Sequence, residues 1–261
     1  MRTNLSAIWA NSGAHEQLAV ECSEWLAEAR DRNDRFALTM LEAVGMGGVR
    51  HLMRDDTAEA SAALDAALAP WPLEPFSFAH LGELISRSFI ELYRGGEGTS
   101  AWFEREHARL SRAFMLQRGL GRATLLMFRG YGSLAAWVVA RGERARVLLA
   151  SAARDMHELK RVKSKLGAIN ALAIEAQLLA IEGQTERALA SAHQVRERCD
   201  ACGFVLLARS VEHLQGRIEA GDSGRLKRES ALQFFAGQGW SKPERAVAVL
   251  CPVSDALPRW R

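Results

Sequence analysis

The chain is poor in proline and in residues that build sheets or disulfide frameworks. Of its 261 residues only 6 are proline, 4 cysteine and 2 tyrosine, and aromatics make up 7%. So few prolines permit long uninterrupted helices, and the scarcity of β-branched runs argues against a large sheet. Cys22, Cys199, Cys202 and Cys251 are too few and too scattered for a disulfide scaffold, so a reducing cytoplasm is the expected setting. Residues 1–11 lack the long apolar run of a signal peptide. No stretch approaches the roughly 18 apolar residues needed to span a bilayer, and no membrane association is expected. Charge of one sign is also lacking. The net charge of +3 is near balance and does not argue for a nucleic-acid partner.

The motifs that carry chemistry are missing as well. There is no Gly-rich nucleotide loop, no Gly-Lys-Ser/Thr phosphate loop, no His-Arg-Asp and no Asp-Phe-Gly. Gly119-Leu120-Gly121-Arg122-Ala123-Thr124 imitates such a loop but lacks the later Gly, the Lys and a preceding strand. No Gly-x-Ser-x-Gly elbow occurs, and none of the seven histidines has a second one at i+4. The chain is therefore expected not to be an enzyme and to need no cofactor. Cys199-Asp200-Ala201-Cys202 is the sharpest local motif. A closed zinc site would need two further ligands, for which His193 and His213 are the candidates. Packing of two small residues at a turn is the favoured reading. The basic run Lys160-Arg161-Val162-Lys163-Ser164-Lys165 could touch an anionic surface, but it also suits a helix C-terminus, where cations interact well with the dipole.

What is present is helical. Hydrophobic residues make up 48% and charged residues 25%, with Ala, Leu, Arg and Glu, all strong helix formers, dominant. Apolar residues recur at helical spacing between short polar or Gly turns. The pattern predicts helices near 2–11, 13–31, 34–54, 57–69, 76–94, 98–118, 121–141, 143–160, 163–182, 185–199, 203–220, 223–237 and 241–250. Connections this short make consecutive helices antiparallel hairpins. Turns fall near Asp56, Gly96, Gly142, Gly183 and Gly221, a spacing typical of stacked two-helix repeats. Small residues such as Ala176 and Ala188 let the two helices of a hairpin approach closely, and this resembles the tetratricopeptide pattern. The expected fold is all-α: a right-handed superhelix of antiparallel hairpins over residues 1–253, followed by a tail, 254–261, in which Trp260 is a candidate docking residue. A compact helical bundle is the alternative.

Longer stretches carry a second resemblance. Asp55-Asp56-Thr57-Ala58-Glu59-Ala60 leads into Leu64-Asp65-Ala66-Ala67-Leu68, then Phe76-Ser77-Phe78-Ala79-His80 and Ile90-Glu91-Leu92-Tyr93-Arg94-Gly95. Near the end stand Gly237-Gln238-Gly239-Trp240 and Leu250-Cys251-Pro252. Their order resembles the C-terminal helical-repeat region of large myxobacterial-type serine/threonine kinases, which carry a signalling ATPase module between kinase and repeats. The resemblance implies a sensing or scaffolding arm in a bacterial signalling system, without the kinase and ATPase parts.

A solenoid of this kind exposes a concave surface lined by the first helix of each hairpin. By register, Glu83, Arg87, Arg129, Asn170, Gln177 and Gln215 are the candidate groove residues for a protein or peptide partner. Two rival readings stand beside this one: a small-molecule sensor, which a buried pocket with few polar groups would favour, and a self-associating, homo-oligomeric scaffold.

Overall fold

The computed structural model describes residues 2–219 and 221–257. These residues form fourteen α-helices: α1 (Arg2–Ser12), α2 (His15–Asp31), α3 (Arg35–Thr39), α4 (Val49–Leu52), α5 (Thr57–Leu68), α6 (Phe78–Arg94), α7 (Glu97–Arg112), α8 (Gly119–Val139), α9 (Gly142–Arg161), α10 (Lys165–Ile181), α11 (Thr185–Asp200), α12 (Val205–Ile218), α13 (Gly221–Gly237) and α14 (Pro243–Ala248). No strand occurs among the described residues, and no helix is long and apolar enough to cross a membrane. The recurring turns are places where the backbone takes a positive φ, at Asp55 (65°), Gly96 (82°), Gly142 (57°), Gly183 (74°) and Gly221 (75°). Glycine reaches that region without steric cost and Asp is tolerated there, so both can reverse the chain between two helices.

From α6 onward the helices alternate between two layers. In the first helices of the hairpins most residues are buried: 14 of 21 in α8, 11 of 17 in α10 and 11 of 14 in α12. In the second helices few are: 5 of 20 in α9, 5 of 16 in α11 and 3 of 17 in α13. The α9 set, Leu148, Ala152, Asp155, Met156 and Leu159, is a single stripe at helical spacing. The first helices therefore form an inner layer, covered on the outside by the second ones. Each helix from α8 to α13 packs on the next, and Ala176 and Ala188 are both fully buried on the packed pair α10 and α11.

Two expected helices are divided. The stretch 34–54 is broken into α3, a π-helical segment Met40–Val44, a glycine-rich turn and α4. The wide turn is closed by the Gly45 N–H donating to the Met40 carbonyl at 2.8 Å, and Gly45, Gly47 and Gly48 lower the cost of leaving the helix. Gly82 of α6 fits against this segment. A Cβ there would stand 2.9 Å from both the Ala43 carbonyl carbon and the Val44 nitrogen, so only glycine lets α6 come this close. The stretch 98–118 ends as α7 at Arg112 and continues as a 3₁₀ turn, Phe114–Leu116.

The chain does not remain an open row of hairpins. α1 packs on α12, and α14 packs on both α6 and α12. The Trp240 indole N–H donates to His15 Nδ1 at 2.8 Å, the His15 backbone N–H donates to Gln238 Oε1 at 3.2 Å, and the Ser241 N–H donates to the Met53 carbonyl at 2.8 Å. Arg245 pairs with Asp55 at 2.7 Å. Residues 254–257, expected to begin a tail, belong to the body: Ser254 and Leu257 are buried, and Arg217 donates to the Ser254 carbonyl at 2.9 Å and to the Leu257 carbonyl at 3.1 Å. Trp260 lies outside the described residues.

His15 makes this closure sensitive to acid. Its Nε2–H donates to the Ala10 carbonyl at 2.9 Å while Nδ1 accepts from Trp240, so the ring is neutral with no vacant position for a second proton. Burial lowers its pKa from 6.5 to about 4. The unfolded chain takes up the proton near pH 6.5 and the folded chain only near pH 4, so stability falls as pH drops through this window. The loss should total about 3 kcal/mol. Denaturant titrations at several pH values check it: the slope between these pH values should be shallower in His15→Gln than in the parent protein.

Candidate functional site

The inner layer surrounds an apolar cavity of about 350 Å³. α6 presents Phe78, Leu81, Ile85 and Phe89 to it, a single face at three- and four-residue steps. α8 adds Leu120, Thr124, Met127 and Phe128 by the same spacing, and α10 adds Leu166 and Asn170. Leu206 and Leu207 of α12, with Phe204 just before it, complete one side. The chain ends supply the rest. Val44 and Met46 come from the broken stretch that Gly82 holds in place, Asn11 from α1, and Leu250 from the C-terminal segment. The cavity lies toward the N-terminal ends of the inner helices. Phe78 and Leu120, from first turns, are both lining and exposed.

No Asp, Glu, Lys, Arg or His is among the lining residues. The polar groups are those of Asn11, Thr124 and Asn170. Asn170 is buried; its Oδ1 accepts from the Tyr131 hydroxyl at 2.7 Å, and its Nδ2 donates to the Leu166 carbonyl at 2.9 Å. A primary amide has two donors and two acceptor positions, so one of each remains for a ligand. The Thr124 hydroxyl makes no hydrogen bond among the described residues. The site can thus enclose a mostly apolar molecule and meet one neutral polar group, whereas an ionised ligand would enter with no counter-charge.

Of the six residues expected to line a groove, only Asn170 lines this cavity. Gln177 is fully buried and donates to the Ala173 and Leu250 carbonyls, at 3.2 and 3.1 Å, which ties the C-terminal segment to α10. Gln215 is buried and accepts from Arg196 at 2.9 Å. Arg129 grips the buried Asp155 with two N–H groups. Glu83 and Arg87 pair with each other at 3.6 Å, with Glu83 also held by Arg109 at 3.1 Å and Arg87 by Asp65 at 2.5 Å. Each of these five residues has polar atoms engaged within the fold, although Gln177 Oε1 and Arg87 Nε are buried without a hydrogen-bond partner. The cavity residues Phe78, Leu120, Leu166 and Phe204 were not singled out from sequence. They share one legible signal: each is a large apolar residue within two positions of a turn that opens an inner helix, where solvated residues are the norm.

The other motifs do not assemble a second site. Cys199 is buried and Cys202 exposed. His193 is exposed beside Glu197, and His213 is buried against the Ser254 hydroxyl at 2.7 Å. Burial pushes the Cys199 thiol up to about 12, which disfavours the thiolate a metal would need. Among the described residues no group of three or more His, Cys, Asp or Glu is placed to hold a metal. Comparison with protein-family models, with curated proteins and with solved structures finds no match to the chain.

Proposed function

We propose that this chain is a non-catalytic ligand-holding module, a small-molecule sensor that takes a neutral, mostly apolar molecule into the cavity of its helical array. The apolar cavity carries the proposal. Its volume falls within the roughly 300–1,000 Å³ range of small-molecule sites, and its lining of apolar side chains with a few polar groups is the usual composition of such sites. The array is read as a right-handed tetratricopeptide-like superhelix that closes on its own ends, within a bacterial signalling system. Because Asn11, Val44 and Met46 from one end of the chain and Leu250 from the other share the wall, a bound ligand would bridge the two ends and favour the closed state by its binding free energy. The peptide-groove reading has less support, since the polar residues assigned to a groove are engaged inside the fold.

The test is saturable binding of a neutral apolar fluorophore, N-phenyl-1-naphthylamine, to purified protein. Ile85 is half-buried on the cavity wall, so Ile85→Trp places an indole in the space a ligand needs. Binding should weaken by about tenfold or more, the scale of losing a central anchor, while the thermal midpoint stays within a few degrees of the parent. A fluorophore that does not bind, or binds Ile85→Trp as well as the parent, would sink the proposal. Mass spectrometry under native conditions would show whether a ligand copurifies.

A further inference from the structure

The mouth of the cavity carries two features that the ligand-holding role does not require. The first is exposed apolar surface on the connection leading into α8. Phe114 is 78% exposed and Met115 37%, with Leu120 just beyond at 61%. Phe78, which shares the cavity wall with Leu120, is 51% exposed. Met115 is held at this spot by close packing, because a Cβ on Gly121 would run into its carbonyl. A cluster of large apolar side chains in water around an apolar opening is the kind of surface that marks an interaction site.

The second feature is positive charge without compensation. Residues 111–122 and 159–167 carry seven basic side chains, Arg112, Arg118, Arg122, Lys160, Arg161, Lys163 and Lys165, and no acidic one. Two are spent in ion pairs, Arg122 with Glu158 and Lys160 with Glu175. Arg112, Arg118, Arg161, Lys163 and Lys165 are exposed and form no ion pair among the described residues. The two segments lie side by side: a Cβ at Gly167 would sit 3.6 Å from the Ala123 Cβ, so the first turn of α10 touches that of α8. Exposed acids on neighbouring elements include Glu74 before α6 and Glu197 and Asp200 in the last turn of α11.

We infer that this end of the molecule docks on an anionic lipid bilayer, with Phe114, Met115, Leu120 and Phe78 entering the headgroup region and the flanking Arg and Lys side chains on the lipid phosphates. Apolar tips ringed by basic residues match the layered chemistry of such a surface, apolar below and negative above. The arrangement would also set an apolar cavity open toward the phase where a sparingly water-soluble ligand resides. The docking stands on the rim and its charge, whereas the use made of it rests on the ligand-holding reading.

Cosedimentation of the full chain with vesicles tests it, using phosphatidylcholine alone and phosphatidylcholine with phosphatidylglycerol. The protein should sediment with the anionic vesicles, less so as ionic strength rises, and weakly with the zwitterionic ones. Lys163→Glu with Lys165→Glu should weaken anionic-vesicle binding by about tenfold or more, since each basic residue at such a surface is worth roughly fivefold. Phe114→Ser with Met115→Ser should weaken it as well. All four positions are exposed and none lines the cavity, so folding by circular dichroism and fluorophore binding without vesicles should match the parent. Ile85→Trp should lose the fluorophore and keep the vesicles, which separates a failure of the cavity from a failure of the docking. No sedimentation with anionic vesicles overturns the inference and returns the rim to a protein partner. Sedimentation unchanged in both double variants overturns it equally.

Discussion

Replacing Trp240 with alanine is expected to lower the stability of the protein by about 3–5 kcal/mol, the usual cost of truncating a buried large aromatic side chain. Trp240 lies between α13 and α14 and is buried, and two of its ring partners, His15 and Tyr93, come from distant parts of the chain. Its ring meets His15 edge-on at 5.4 Å, Phe235 edge-on at 6.3 Å and Tyr93 at a tilt at 5.7 Å. Its N–H is the donor to His15 Nδ1. Truncation would leave a cavity where both ends of the chain meet and strip a buried acceptor of its donor, and these two penalties act together. Trp240→Phe keeps an aromatic ring and removes the donor, so it should cost less, about 1–3 kcal/mol. Guanidinium titrations would measure both. A loss below about 1 kcal/mol in Trp240→Ala would mean that α1 and α2 are held by other contacts.

A comparable loss, about 3–5 kcal/mol, is expected from Glu42→Ala. Glu42 and Arg50 are eight residues apart and both buried, joined by two parallel hydrogen bonds at 2.6 and 2.8 Å. Arg50 also donates to the Gly47 carbonyl. The break in the helix makes this geometry. The π-helical segment and the glycine turn fold the chain back so that one carboxylate faces one guanidinium. Removing the carboxylate leaves Arg50 charged and buried, because a guanidinium stays protonated far above neutral pH. Desolvation without a partner then acts in full. Glu42→Leu combined with Arg50→Met removes both charges and should recover much of the loss. Thermal and denaturant unfolding of the single and double variants form the test. A double variant no more stable than Glu42→Ala would show that the pair is not the source of the cost.

Much of the helical framework was legible from residue order. The positions of α9, α10 and α11 follow from apolar spacing near 3.6 and from glycines that can take a positive φ, and both are local properties. The division of 34–54 was missed, since the stretch reads as one helix, although Gly45, Gly47 and Gly48 are a local signal for it. The close approach that requires Gly82 has no such signal, because it depends on a segment about forty residues earlier. The groove assignment failed at Gln177 and Gln215 for a related reason. A polar residue on a helix reads as solvated unless its partner is known, and these partners, the Leu250 carbonyl and Arg196, lie 73 and 19 residues away. Asn170 was assigned to a groove for a protein or peptide partner, and it lines the cavity instead. It also holds the Tyr131 hydroxyl, 39 residues away in sequence.

Sequence alone determined that the chain makes antiparallel helix pairs, because hydrogen bonding within a helix, apolar periodicity and turn residues all act over a few residues. Only the tertiary structure decided that the row of hairpins meets its own ends. The joining contacts, such as Trp240 with His15, span 225 residues, and no local preference specifies which apolar face will find which. The cavity is a product of that closure. Its wall combines α1, the broken stretch after α3, four inner helices and Leu250, and none of these segments encloses a volume by itself.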